Sequence, residues 1–328
     1  MTWDVDYLRD NRDENMGFLS KTLLPDGTEI PGTNFDYNYL QHRKVDVVSS
    51  ALDFILPFEK YKITAGAKVS FTNTRNGINY DTSDPTLVQD DYFRYKEQIY
   101  ALYADYSREY SERFSMQLGL RMEHTCTTGI SEAKDTEDKH DYTRLFPTVY
   151  LLYSPTDGHA LNFSFSNRIS RPSQNMVNPF PFYQNKYTYA CGREDLKPSY
   201  TYNAELGYTL KNNFNVSAYY SYSDDVFFQV VDLDAETNVT SFLWENFMQT
   251  HAFGLNNSYT FRTKWLQTYA QHGVSYRRTT SSAATTSPEE KGWAYNASLR
   301  NTFFFNEKKT LLATLSSSYS SRQYQASI

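Results

Sequence analysis

The chain has 328 residues and a formal net charge of −6, which excludes the basic surface that a nucleic-acid-binding protein needs. Aromatic residues make up 17% of the chain, yet its mean hydropathy is −0.66. This combination is unusual for a soluble core and typical of membrane strands that are apolar on one face and polar on the other. No stretch approaches 18 consecutive apolar residues, so the sequence predicts no transmembrane helix.

The sequence also lacks the signatures of several other classes of protein. It begins MTWDVDYLRDNRDENM, without a basic region followed by an apolar region, so we expect no signal peptide. Two cysteines, Cys126 and Cys191, are too few for a disulfide framework or a tetrahedral metal cage. The histidines have no metal-ligand spacing, and neither a Gly-x-Ser-x-Gly motif nor a phosphate-binding glycine loop occurs. We therefore expect no catalytic residue, no metal site, no cofactor and no enzymatic activity.

Alternation with a period of two residues predicts β-strands along almost the whole chain. It is clear in residues 61–71, in residues 114–123, and in 202–222, where two runs flank an Asn-Asn turn. After a partial strand in WDVDYL we predict about 12 strands, many longer than the roughly 9–11 residues that cross a bilayer. They cover residues 45–56, 60–74, 91–108, 113–127, 143–154, 159–170, 200–211, 213–231, 239–261, 265–280, 292–305 and 309–325.

The connections between these strands form two alternating sets. The short set reads LPFEK, EYSER, SPTDG, KNN, RTKW and FNEKK. The long set covers residues 9–44, 75–90, 128–142, 171–199, 232–238 and 281–291. Strict alternation indicates an all-β, antiparallel, up-and-down transmembrane β-barrel with short periplasmic turns and long extracellular loops. The alternative is a large soluble β-sandwich or solenoid, but Greek-key connections would not sort the loops in this way.

A family resemblance lies in the segment from residue 167 to residue 210. Its motifs are Arg171-Pro172-Ser173, Asn178-Pro179-Phe180, Gly192 followed by Leu196-Lys197-Pro198, and Glu205-Leu206. With these motifs the chain resembles the barrel of TonB-dependent outer-membrane receptors, in particular the outer-membrane β-barrel family of Bacteroidota. The Asn-Pro that usually follows the glycine is replaced here by Arg193-Glu194. Residues 52–71 and 295–321 also match hairpins of the family, so the resemblance covers essentially the whole chain.

The resemblance implies a function and a set of partners. Such receptors have a 22-stranded barrel with a plugged lumen and import a ligand with energy from the TonB complex. Residues 1–328 would then be a barrel fragment without plug domain or signal peptide, in the outer membrane of a Gram-negative bacterium. Its partners would be outer-membrane lipid, the plug and remaining strands of the full-length chain, and TonB through a segment outside this chain. A surface lipoprotein partner stays open. One alternative function is a passive porin or surface adhesin, and the other is an outer-membrane hydrolase, for which we expect no labelling by a serine-reactive probe.

Two groups of residues are candidates for the site. In loop 171–199 they are Arg171, Phe180, Phe182, Tyr183, Tyr187 and Tyr189. These side chains either capture ligand on aromatic faces or belong to a loop that its prolines fold back over the rim, the interpretation we favour. On predicted inward faces the candidates are Arg121, Glu123, Asn203, Glu205 and Arg300. They either contact the plug or a passing substrate, or are polar residues solvated by water in the lumen.

Two acidic stretches and two cysteines complete the predictions for the outer side. Residues 81–91 and 131–142 carry aspartates of the kind that bind calcium, but without EF-hand spacing, so we predict solvated loop tips. Cys126 and Cys191 are predicted in adjacent outer loops. A disulfide formed in an oxidising compartment and two free thiols are both compatible with the sequence.

Overall fold

The computed structural model describes residues 1–31, 34–82 and 90–322. The chain is almost entirely β-strand, as predicted, and has one helical turn, α1, at Gln174–Val177. The strands are β1 Thr2–Ser20, β2 Phe35–Pro57, β3 Lys62–Thr82, β4 Asp91–Ser111, β5 Phe114–Ser131, β6 Thr136–Tyr153, β7 His159–Ser170, β8 Phe182–Asn185, β9 Thr188–Cys191, β10 Ser199–Leu210, β11 Phe214–Asp234, β12 Val239–Arg262, β13 Leu266–Ser281, β14 Glu289–Phe304 and β15 Leu312–Ser320.

These strands form one sheet with the topology of a meander. Thirteen of the 15 strands follow one another as hydrogen-bonded neighbours in the order β1 to β7 and β10 to β15, and each of these pairs is antiparallel. This arrangement confirms the up-and-down topology. Among the described residues, no helix is long and apolar enough to cross a membrane.

The predicted long connection at residues 9–44 is wrong. The strand that opens the chain runs to Ser20, and β2 begins at Phe35. Residues 9–15 are polar on both faces, so the apolar alternation that marks a membrane strand is absent there. Cross-strand charge pairs replace it: Arg9 Nε lies 2.6 Å from Asp46 Oδ1, and Asp13 pairs with His42. Strand pairing therefore continues where the apolar pattern has stopped.

Other long connections are also shorter than predicted. The predicted loop 75–90 begins too early, because β3 runs to Thr82, and residues 83–89 lie outside the described part. The predicted loop 128–142 shrinks to residues 132–135, so the acidic residues 136–142 belong to β6 and the prediction of a solvated loop tip is wrong for them. Asp91 closes this turn, accepting hydrogen bonds from the Ser131 hydroxyl at 2.6 Å and the Ala133 amide at 2.7 Å.

The loop between β7 and β10 folds against the inside of the sheet. We call residues 171–198, which contain α1, β8 and β9, the luminal segment. Its apolar side chains join those of β2, β3 and β4 in the main buried cluster, while β9 pairs with β12 on the far side. The sheet face that it covers is the inner face. The sheet is thus braced from within by a segment that reaches from one group of strands to another.

The two faces of the sheet differ in polarity as the alternation predicted. On β5, Leu118, Leu120 and Met122 lie on the outer face and are 39%, 50% and 41% exposed. Arg121 and Glu123 alternate with them on the inner face, where Glu123 is buried beneath the luminal segment. Apolar side chains exposed over so wide an outer surface are expected where lipid, rather than water, surrounds the sheet.

Close approach across the inner face depends on small residues. Gly66 on β3 lies opposite Tyr103 on β4 and Asp53 on β2. The Tyr103 hydroxyl donates a 2.5 Å hydrogen bond to Asp53, and a Cβ atom at Gly66 would come within 2.6 Å of that hydroxyl. Glycine at this position therefore allows the tyrosine to lie flat across β3.

The outermost strands of the sheet, β1 and β15, each have one strand neighbour within the described residues. Unpaired backbone groups are expensive in lipid, because no water is present there to satisfy them. We therefore expect that the 328-residue chain expressed alone gives no heat-resistant monomeric band on seminative gels after refolding in detergent. A heat-resistant monomer of a closed barrel would contradict this expectation.

Candidate ligand site beneath the luminal segment

The luminal segment is a compact unit held by its own backbone. Its first half forms α1 and then a turn in which Asn178 Oδ1 accepts a hydrogen bond from the Phe180 amide at 3.2 Å. The second half returns to the first, because the Gly192 amide donates to the Asn178 carbonyl at 2.9 Å and the Arg193 amide to the Met176 carbonyl at 2.8 Å. Prolines on either side of α1 fix the backbone directions that this closure requires.

Aromatic packing anchors the luminal segment to β2, β3 and β4. The Phe180 ring is 2% exposed and meets Phe93 edge-on at 6.2 Å between ring centroids. The Tyr183 ring lies 5.4 Å from that of Tyr37, and Phe182 and Tyr189 pack against the same cluster. Four of the five aromatic candidates in the loop, Phe180, Phe182, Tyr183 and Tyr189, thus pack in this cluster, whereas Tyr187 is 53% exposed.

The other side of the luminal segment is fastened to β12. Strand β9 pairs in parallel with Thr240–Leu243, and Asn246 donates to the carbonyl of Lys197 while it accepts from the Lys197 amide. Arg193 lies between Asp195, at 2.5 Å, and Glu245, at 2.8 Å. The hydrogen bond from Arg193 holds the pKa of the Asp195 carboxyl below its usual range. The luminal segment is therefore attached to β2, β3 and β4 on one side and to β12 on the other.

Arg171 ties the start of the luminal segment to two carboxylates of the wall. Its Nη2 atom donates to Glu123 Oε2 at 2.5 Å and to Thr125 Oγ1 at 3.2 Å. Its Nε atom lies 3.8 Å from Glu97 Oε1. Arg121 donates to the other oxygen of Glu123 at 2.5 Å. The structure thus joins one residue predicted in the loop, Arg171, to two predicted on the inner face, Arg121 and Glu123.

A cavity of about 390 Å³ opens beside Arg171, under the luminal segment. It lies where β6 separates from β7, since their pairing reaches only from Tyr153 to Thr148. Pro147, the β6 residue just before Thr148, has no amide N–H with which to continue the ladder toward the start of the strand. The cavity is lined by residues of both signs of charge and by three tyrosines, among them Tyr95, His140, Tyr142, Arg144, Arg171 and Tyr200.

The predicted inner-face residues are distributed over several places. Arg121 and Glu123 line a neighbouring cavity of about 440 Å³. Glu205 lines another of about 250 Å³, while Asn203 lies opposite Ser166 and Ser221 in the register. Arg300, on β14, is exposed. The register places all five on the inner face, but contact with a plug or a substrate stays a prediction for each of them.

Sequence reasoning missed most of the cavity. His140, Tyr142 and Arg144 alternate on the inner face of β6, but the first two fell in a predicted loop. Correct placement of the start of β6 would have aligned all three, because side chains two residues apart share a face. Tyr200 belongs to a predicted strand, yet nothing in its local sequence signals that it packs against Arg144 across the gap between strands.

The two cysteines are both free thiols. Cys126 lies on the outer face of β5, with its sulfur 3.3 Å from His124 Nε2. Cys191 ends β9 inside the sheet, where its thiol donates to the Pro179 carbonyl at 3.1 Å and burial raises the pKa of that thiol. Because the two thiols lie on opposite sides of the wall, this structure favours the alternative without a disulfide.

The family model of the outer membrane protein β-barrel family matches residues 1–328. The chain belongs to this family. Membership confirms the resemblance inferred from the sequence and places the chain in the outer membrane of a Gram-negative bacterium. The assignment to Bacteroidota stays a prediction. No curated protein gives a significant match to the sequence.

A longer chain of known structure shares this fold, and two others are similar in part. The copper transporter OprC is 13% identical with a TM-score of 0.56, and the match covers 90% of this chain and 52% of that one. The ferric yersiniabactin uptake receptor FyuA from Yersinia pestis is 13% identical with a TM-score of 0.47, over 97% of this chain and 50% of that one. The ferripyoverdine receptor of Pseudomonas aeruginosa is 14% identical with a TM-score of 0.49, and the match covers 97% of this chain and 47% of that one. The family member described here thus spans about half the length of these transporters and receptors.

Replacement of Arg171 by glutamine should loosen the luminal segment. Glu123 and Glu97 would lose a cationic partner in a largely buried place, where breaking an ion pair is costly. In the intact protein we expect hydrogen exchange at the Gly192 amide to accelerate by about tenfold or more, equivalent to about 1.4 kcal/mol. The matched control is Arg193→Gln, in an exposed pair worth about 1 kcal/mol at most. Equal exchange rates in both variants would contradict the anchoring role of Arg171.

Two substitutions in the luminal segment should show that a buried aromatic ring stabilises it and an exposed one does not. Phe180→Ala removes a fully buried ring, which typically costs about 3–5 kcal/mol. Tyr187→Ala changes an exposed ring and should alter stability by about 0.5 kcal/mol or less. Limited proteolysis of the intact protein should therefore cut within residues 174–198 much faster in Phe180→Ala. Similar cleavage of the two variants would mean that the aromatic cluster does not hold the segment.

Proposed function

We propose that this chain forms part of the barrel wall of a TonB-dependent outer-membrane receptor that imports an unidentified ligand. The observation that carries the proposal is the luminal segment, which occupies the inside of the sheet and is attached to β2–β4 on one side and to β12 on the other. A wall braced in this way narrows the passage and leaves a ligand-sized cavity beneath the segment. A receptor needs such a site, whereas an open pore does not.

The open edges of the sheet support a larger barrel. The strands β1 and β15 need further partners in lipid, and this chain spans 52% of the copper transporter whose fold it shares. We infer that the remaining strands and a plug domain belong to the same full-length polypeptide. The wall would supply the cavity, the luminal segment and the inner polar rows. The plug would supply the moving part on which TonB acts.

Different parts of the described structure would have different roles in uptake. Ligand arriving from outside meets exposed side chains of the luminal segment, such as Tyr187, before it reaches the cavity. The Arg171 ion pairs hold the segment in place over that cavity. Below it, the polar inner face offers hydrogen bonds to a ligand that has been released by movement of the plug. A passive porin or an adhesin would use the same wall without that movement.

A photoreactive phenylalanine at position 205 of the full-length protein tests the receptor proposal. Glu205 is exposed on the inner face, so the probe should form an intramolecular cross-link to a plug domain encoded in the same reading frame. The matched control is position 206, because Leu206 is 55% exposed on the outer face and would contact lipid. Mass spectrometry of the cross-linked peptides identifies the partner segment.

Sequencing the DNA that flanks the codons for these residues complements the cross-linking experiment. The proposal expects the reading frame to continue into a plug domain and further strands. If a start and a stop codon flank these 328 residues, or position 205 forms no cross-link to a plug, the passive porin or adhesin replaces the receptor as the better function.

A further inference from the structure

We propose that the cavity beneath the luminal segment binds a small ligand through a single carboxylate or phosphate group. This inference rests on the proposed receptor function and adds the chemical class of the ligand. It is carried by two buried nitrogen atoms of the lining that have no hydrogen-bond partner within the described part of the chain, and by an arginine beside them that is in no ion pair there.

Three side chains of the lining carry these groups. The Arg144 guanidinium stacks on the Tyr200 ring at 4.6 Å and hydrogen-bonds to the Tyr200 side chain, but it has no carboxylate within 4.0 Å among the described residues. The Arg171 Nε and His140 Nε2 atoms are buried and have no hydrogen-bond partner in that same part of the protein. All three side chains line the one cavity. Buried polar atoms without partners are costly. An oxyanion would accept hydrogen bonds from Arg171 Nε and from His140 in the tautomer that carries its proton on Nε2, and Arg144 would add a cationic partner beside them.

The acidic residues of the lining limit the charge of the ligand. Glu97 already faces Arg171 at 3.8 Å, and Glu194 accepts a hydrogen bond from Thr136 at 3.5 Å, while burial raises the pKa of the Glu194 carboxyl. Asp141 and Asp225 also line the cavity, and so do Lys139 and Lys197. The four carboxylates balance the four permanent cations of the lining, which leaves no excess positive charge for a ligand with several anionic groups. One oxyanion group near Arg144 is therefore the arrangement that the lining favours.

The rest of the lining suits an uncharged ligand body. Tyr95, Tyr142 and Tyr200 present ring faces and hydroxyls, and Val177 and Leu196 add apolar surface. A volume of about 390 Å³ is at the lower end of the range for small-molecule pockets, which is roughly 300–1,000 Å³. The cavity therefore fits a single small molecule and is too small for a folded protein. A ring with hydroxyl groups and one acidic substituent has the required features.

Three sugars that differ in one substituent test the inference: glucuronate, glucose 6-phosphate and neutral glucose. The measurement is calorimetric titration of the purified full-length receptor in detergent with each sugar, up to about millimolar concentration. We expect glucuronate, glucose 6-phosphate or both to bind at least about tenfold more tightly than glucose, because charge-assisted hydrogen bonds exceed neutral ones. Preference between the two anions identifies the carboxylate or the phosphate as the recognised group.

Variants then locate the binding. Arg144→Gln and His140→Phe should each weaken binding of the preferred anion by about tenfold, with no change for glucose. The matched control is Arg94→Gln, because Arg94 lies on the outer face of β4, bonded to Asn73 at 3.2 Å. Gel mobility before and after heating checks that each variant is folded. Two lining variants allow the test to proceed if one of them fails to fold.

The outcomes are separate from those of the receptor proposal. Failure of both anions to bind, equal binding of glucose, or unchanged affinity in both lining variants overturns the anionic ligand class. A cross-link from position 205 to a plug would still support the receptor in that case. Loss of the cross-link together with selective anion binding would keep the site and remove the energised mechanism.

Discussion

The structure depends on one constraint: in lipid, every backbone amide and carbonyl needs a partner within the protein. The antiparallel meander meets this requirement by pairing each strand of its interior with a strand on either side. Once the strands are paired, successive side chains must point to opposite faces. On β5 this puts Leu118, Leu120 and Met122 outside and Arg121 and Glu123 inside. The same pairing continues above the apolar zone, where charge pairs such as Arg9 with Asp46 replace lipid contact as the source of register.

Within this wall, the luminal segment resolves a second constraint. A long loop above a wide sheet would lose much conformational entropy if it were ordered without contacts. Burial of Phe180 and its aromatic neighbours offsets that loss, and Arg171 adds a directed attachment to Glu123. Because the segment crosses from β4 to β12, it encloses space instead of filling it. The cavity is a consequence of this crossing and of the early separation of β6 from β7.

The position of the luminal segment gives this member of the family a candidate ligand site inside the barrel wall. The family implies an outer-membrane barrel, but the barrel wall alone does not distinguish a receptor from a pore. In the proposed receptor, the distinction would come from the segment held inside the wall and from the buried Arg171 Nε and His140 Nε2 atoms, which have no hydrogen-bond partner in the described part. These features would concentrate recognition beside the luminal segment. They leave the lower inner face as a polar surface on which a plug or a moving ligand can form hydrogen bonds.

The sequence by itself determined the strand content, the meander and the identity of the two faces, because a period of two and alternating loop lengths are local patterns. It also singled out Arg171 and Phe180 through their family motifs. It did not reveal the outer halves of β1 and β6, where polar residues on both faces hide the period, nor that of β2, where Phe35, Tyr37 and Tyr39 alternate with polar residues but face the luminal segment instead of lipid. Only the tertiary structure brought Arg171 to Glu123 and Arg144 to Tyr200. Such contacts join residues tens of positions apart, and their partners are chosen by how the luminal segment packs, which no local pattern records.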